Sequence, residues 1–154
     1  MNAPLWFEKV ATDMRLPAPH PAFDCSPSLV AGYAELFDAR HPIHIDAEFA
    51  RTSRFGRCIA HGPLPVAKAL GMLGDIFGVA LVAMTSIDEW RFFAPVFVGD
   101  VVSVEAFVLD AQPSAGGSSG IVTVEMRLSG PDGSLAQRGV ARLLVRRDPA
   151  RGGA

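Results

Sequence analysis

The chain has 154 residues, 49% hydrophobic and 19% charged, which predicts one domain with a real core and excludes intrinsic disorder. A formal net charge of −2 and a pI near 6.0 leave no basic footprint for nucleic acid, so an anionic ligand has to be held by local groups. Cys25 and Cys58 are too few for a disulfide framework and lack metal-ligand spacing. No charged-then-apolar leader and no apolar run of about 18 residues is read, so no membrane segment is expected, and a reducing cytoplasm is the expected compartment.

Leu5-Trp6-Phe7 opens an ambiguous stretch broken by Pro17, Pro19 and Pro21, with one short strand near 22–25. Ser26-Pro27 is a helix start, a hydroxyl cap with proline at the first helical position. Leu29, Val30, Tyr33, Leu36 and Phe37 then share one face, and the helix should end near Asp38, because Pro42 restricts the residue before it. A second short helix is predicted over 47–52. Gly62-Pro63 opens the main helix, about 63–77, whose charges are only Lys68 and Asp75. A helix apolar all round is a buried one.

Strands follow, over 80–93, 100–110, 121–129 and 135–146, with a flexible Ser/Gly connection at 114–120 and a Pro131-Asp132-Gly133 turn. Val122, Val124, Met126 and Leu128 alternate against Thr123, Glu125 and Arg127, and Ala141, Leu143 and Val145 against Arg138, Arg142 and Arg146. Period two with one polar face is an antiparallel sheet covered on one side. An apolar helix that needs cover and a curved sheet with an apolar face bury each other. The expected fold class is therefore α+β, a single hot-dog domain over 1–148 with a flexible tail at 149–154.

Between Phe37 and Leu64 lie three of the four histidines. Tyr33-Ala34-Glu35-Leu36, then His41-Pro42-Ile43-His44-Ile45-Asp46, Ile59-Ala60-His61-Gly62 and Phe93-Ala94-Pro95-Val96-Phe97-Val98-Gly99-Asp100 together resemble the MaoC-like hydratase family, the (R)-specific enoyl-CoA hydratases. The resemblance runs from residue 26 to residue 146. It implies a hot-dog fold, an acyl-CoA or acyl-carrier thioester as ligand, and reversible addition of water across a 2-enoyl double bond. It implies no further cofactor, since the thioester is the substrate. The family's Asp-x-Asn-Pro-[Ile/Leu]-His run aligns its histidine with His44, its asparagine with His41 and its aspartate with Ala39. The nearest carboxylate, Asp38, stands one place early. A hydroxyl carried by some members on the central helix falls on Ala67, and the usual His-Gly-Met reads His61-Gly62-Pro63.

His44 is the expected catalytic base, since an imidazole with a pKa near 6.5 can take a proton from water and return it. Gly62 is the expected oxyanion donor, its N–H at a helix start facing developing negative charge, with Leu64 a second possible donor because Pro63 has none. Asp38 is the expected acid partner if the turn before Ala39 has unwound. A helical turn there would swing it away by about 100°. Three outcomes stand open: a hydratase using Asp38, one using the His41/His44 pair, or a thioester binder without that chemistry. A hot-dog thioesterase is a further rival.

His41, Arg40, His61 and Arg57 are expected around the substrate, with Arg51, Arg54 and Lys68 as further cations for CoA phosphates. His41 and His61 also read as structural rings. The spacing of His41, His44 and Asp46 is chemically capable of a metal site, but no metal is expected. Cys58 reads as a small core thiol. A homodimer or larger homo-oligomer is expected, because hot-dog sheets pair edge to edge and hide open strand edges.

Overall fold

Among the described residues five antiparallel strands form one sheet in the order β1-β3-β4-β5-β2, where β1 is Ala22–Asp24, β2 Leu81–Phe92, β3 Val101–Pro113, β4 Ser119–Ser129 and β5 Leu135–Arg146. This computed structural model describes residues 3–18 and 20–151, so the expected tail lies outside the described residues at 152–154. The segment Pro149–Arg151 forms a 3₁₀ turn. The alternation in the sequence sets the register. Val122, Val124, Met126 and Leu128 of β4 and Ala141, Leu143 and Val145 of β5 are all fully buried. The predicted Ser/Gly connection is shorter than expected, because β3 runs on to Pro113 and β4 resumes at Ser119, with Gly117 N–H donating to the Ser114 carbonyl at 3.0 Å.

Among the described residues four α-helices lie before and against this sheet: α1 Pro27–Leu36, α2 Pro42–Ile45, α3 Ala47–Thr52 and α4 Pro63–Phe77. Ser26 caps α1, its hydroxyl accepting from Leu29 N at 3.2 Å. The sequence predicts no helix at α2, where Pro42 restricts the residue before it to extended backbone. Proline disfavours helical backbone at the residue before it, while its own fixed φ suits a first helical position. His41 is the extended one, at φ −63° and ψ 131°, and Pro42 occupies the first helical position.

Helix α4 packs Leu64, Ala69, Met72, Leu73, Ile76 and Phe77 into the sheet's apolar face. Burying each large side chain contributes about 1.5–3 kcal/mol. The expectation of a helix covered on every side is corrected here: Ala67, Lys68, Gly71 and Asp75 lie on an exposed face. Small and charged residues there present little apolar area, so cover on that face would add little stability. The stretch Pro63–Ala80, 18 residues with mean hydropathy 1.3, is also long and apolar enough to cross a membrane by length and composition. That differs from the sequence expectation, and in this fold its apolar face is packed on the sheet.

Candidate active site

Helix α1 ends in a way that fixes the fate of Asp38. Asp38 has φ 52°, in the left-handed region. Its N–H reaches the Glu35 carbonyl at 3.4 Å, and Ala39 N–H reaches the Ala34 carbonyl at 3.0 Å. These two bonds are the Schellman pattern that closes a helix, with an aspartate where glycine or asparagine usually sits. The turn has therefore unwound at Ala39, but the side chain of Asp38 is 82% exposed and pairs with Arg40 at 2.9 Å. Neither residue lines the cavity described below. An acid at this helix end has a structural reason, namely a left-handed stop and an ion pair.

The next polar side chains also close local structure. His41 is exposed, its Nδ1 accepting from Ile43 N–H at 3.2 Å to cap α2. Asp46 caps α3 by accepting from Glu48 and Phe49 N–H at 2.9 and 3.0 Å. The three side chains of the metal reading are thus engaged separately. No group of three or more metal-ligating side chains forms among the described residues.

His44 is different. Its Nδ1 lies 2.8 Å from the Ile59 carbonyl, which can only accept, so Nδ1 carries the hydrogen and Nε2 is left with a free lone pair. The ring stacks on His61, centroids 3.8 Å apart and planes 30° apart. Burial pushes the His44 pKa down, the Ile59 bond opposes this, and the nearby His61 and His41 lower it further. His61 is 5% exposed, and its Nε2 donates to the Ala39 carbonyl at 2.7 Å. Its Nδ1 is buried without a partner among the described residues. His61 therefore braces His44 and does not line the cavity, which corrects its expected place against substrate.

A short pairing with the segment before β3 holds the helix start in place. Ala60 N–H donates to the Val96 carbonyl at 2.7 Å, and Val98 N–H to the Cys58 carbonyl at 3.0 Å. Gly62 follows at φ −51° and ψ −45° as the residue before α4. Its N–H has no acceptor among the described residues. Leu64 N–H is taken by the His61 carbonyl at 3.0 Å and its side chain is 2% exposed, so Leu64 is no second donor.

His44 and Gly62 line one cavity of about 310 Å³, walled by Phe92, Phe93 and Pro95 and reaching Gln137. A Cβ on Gly62 would sit 3.0 Å from the Phe92 ring. Among the expected cations only Arg54 borders this cavity, lying over the Phe55 ring at 4.7 Å. Arg57 is held by Asp100 at 3.3 Å and by the Phe97 face at 3.9 Å, Arg51 by Glu48 at 3.0 Å, and Lys68 lies in a separate groove with Ala67. Cys58 is half-buried and free. A larger concavity, about 740 Å³, is bordered by Val82 at the start of β2, whereas the histidine cavity reaches Phe92 at its end. Gln137 was not read from the sequence, although it shares a strand face with Ala141, Leu143 and Val145, where a polar residue is a signal.

A sheet wrapped on one helix, with an imidazole base and a free helix-start amide on one cavity, defines a hot-dog protein with a site suited to a polarised carbonyl. The chain belongs to the family of the MaoC-like domain, whose model matches residues 10–128. The (R)-specific enoyl-CoA hydratase of Aeromonas caviae is 35% identical over 115 residues, 73% of this chain and 80% of that protein. The 3-hydroxybutyryl-CoA dehydratase of Methylorubrum extorquens is 33% identical over 93 residues, 58% of this chain but only 57% of that protein's length. The structure of the MaoC-like dehydratase from Rhodospirillum rubrum superposes with a TM-score of 0.79 at 28% identity, covering 94% of this chain and 99% of that one.

Proposed function

We propose that this protein is a hydratase/dehydratase of 2-enoyl thioesters, carried as CoA or carrier-protein esters, with His44 as the base and Gly62 as the oxyanion donor. The observation that carries the reading is that His44, whose Nε2 is unbonded, and Gly62, whose N–H is unbonded, line one cavity. Nε2 takes a proton from water while the water oxygen bonds to C3 of the enoyl chain. The C2–C3 π electrons move towards the carbonyl, and the resulting enolate oxygen accepts from Gly62 N–H. C2 then takes the proton from the His44 imidazolium, so one water is added and the base is restored. Dehydration is the reverse. Arg54 at the rim is the proposed cation for a CoA phosphate.

Incubation with crotonyl-CoA, following loss of the conjugated absorbance, tests this. Absence of turnover on short, medium and branched enoyl-CoAs sinks it. A second reading, a thioester binder without hydratase chemistry, is supported by one observation: no carboxylate borders the cavity among the described residues. Tight retention of unaltered crotonyl-CoA would identify that case, and release of free CoA thiol a thioesterase.

We also propose a homodimer joined along β2. That strand ends the sheet order and exposes Val82, Met84 and Ile87 by 43, 36 and 49%, a long apolar edge that pairing would cover. A monomeric mass by light scattering at micromolar concentration overturns this.

A further inference from the structure

We infer that the buried side-chain amide of Gln137 is a positioning residue that aims the Gly62 N–H into the cavity. The inference rests on the hydratase reading and adds the residue on which its oxyanion donor depends. Gln137 is 2% exposed. Its Nε2 donates to the Gly62 carbonyl at 3.2 Å, and its Oε1 accepts from Trp90 Nε1, also at 3.2 Å. The indole N–H can only donate, so it fixes which end of the amide is oxygen and turns the NH₂ end to Gly62.

Glycine has more backbone freedom than any other residue, so a catalytic N–H on glycine has to be held from outside. Two bonds do this, one on each flanking peptide. The His61–Gly62 peptide is held by Leu64 N–H on the His61 carbonyl at 3.0 Å. The Gly62–Pro63 peptide is held by Gln137. With both planes held, the direction of the Gly62 N–H is set before any ligand arrives, which is the condition for electrostatic stabilisation without reorganisation.

The surroundings are shaped to deliver this amide. The register of β2 on β5 shifts between Asp88 and Arg91, and Glu89 inside that bulge has φ 49°. A bulge re-aims the side chains beside it. Here the Trp90 indole lies on Gly139 of β5, where an added Cβ would stand 2.2 Å from the ring. A strained bulge, a strand glycine and a tryptophan thus converge on one glutamine. An amide among Ala141, Leu143 and Val145 costs more to bury than an apolar side chain of its size, which packing alone does not explain.

The test compares wild type with Gln137→Leu, which keeps side-chain bulk and removes both bonds, and with Trp90→Phe, which leaves Gln137 in place but unfixed. Turnover is read on crotonyl-CoA and affinity on the non-reacting saturated butyryl-CoA. We expect Gln137→Leu to lower kcat by at least about tenfold and to change the butyryl-CoA Kd by less than about threefold, with Trp90→Phe lowering kcat about two- to fivefold. A folded Gln137→Leu with wild-type kcat, or one in which kcat and affinity fall together, overturns the positioning role. Should Gln137→Leu fail to fold, unchanged kcat in Trp90→Phe overturns it alone. A wild type inert on every enoyl-CoA overturns the hydratase reading and this inference together, whereas an active wild type matched by Gln137→Leu overturns only the latter.

Discussion

The stretch from Asp38 to Asp46 and the stretch from Ile59 to Leu64 both reach the histidine cavity, but they reach it by different means. In the first, most polar side chains close local structure. Asp38 stops α1, His41 caps α2 and Asp46 caps α3, leaving His44 to face the cavity. In the second, the main chain makes the site and the side chains support it. Ile59 fixes the His44 ring by its carbonyl, His61 stacks against that ring, and Gly62 presents an amide. A dense polar cluster in sequence can be mostly helix punctuation, while a glycine near it keeps an unbonded main-chain N–H at the cavity.

The comparison breaks first at His44. We expect His44→Ala to lower kcat on crotonyl-CoA about 10²–10⁴-fold, the usual range for a positioned base. A smaller loss would return the base role to another group. His61→Leu comes next. It keeps an apolar body but removes the ring stack and the bond to the Ala39 carbonyl. A loss of about 1–3 kcal/mol in stability is expected in chemical denaturation, together with about a tenfold fall in kcat. Unchanged kcat would show that His44 needs no brace.

The pH profile sharpens the same point more gently. As the proposed base His44 acts in its neutral form, and its folded pKa lies below the ordinary 6.5. Neutral imidazole therefore persists to lower pH than usual, and kcat/KM should fall on the acid side only below that value. At pH 6.0 an ordinary imidazole would be about one-quarter neutral, and the enzyme should retain more than that share of its plateau activity. The smallest effect is expected at the first region's edge. Asp38→Asn removes an exposed pair but keeps a residue that tolerates left-handed backbone, so kcat should stay within about twofold. Its collapse would restore Asp38 to the chemistry and erase the distinction between the two stretches.

Much of the fold was legible because its signals are local and periodic. The faces of β4 and β5, the capped start of α1 and the proline start of α4 follow from alternation and cap chemistry between near neighbours. Helix α2 was not, because His41 as cap and Pro42 as first helical residue imitate an extended X-Pro pair. Within the site, His44 and Gly62 stood out by motif, whereas Gln137 lies 75 residues from the glycine carbonyl it holds. No window along the chain contains both.

Alone, the sequence determined an apolar helix against a half-buried sheet, an imidazole in one loop and a glycine at a helix start. These need only period, propensity and backbone freedom, which act over a few residues. Tertiary structure decided which carboxylates face water, which histidine borders the cavity, and which distant amide lies against the glycine. Each of those depends on where separate segments meet, and that meeting is fixed by packing of the whole core.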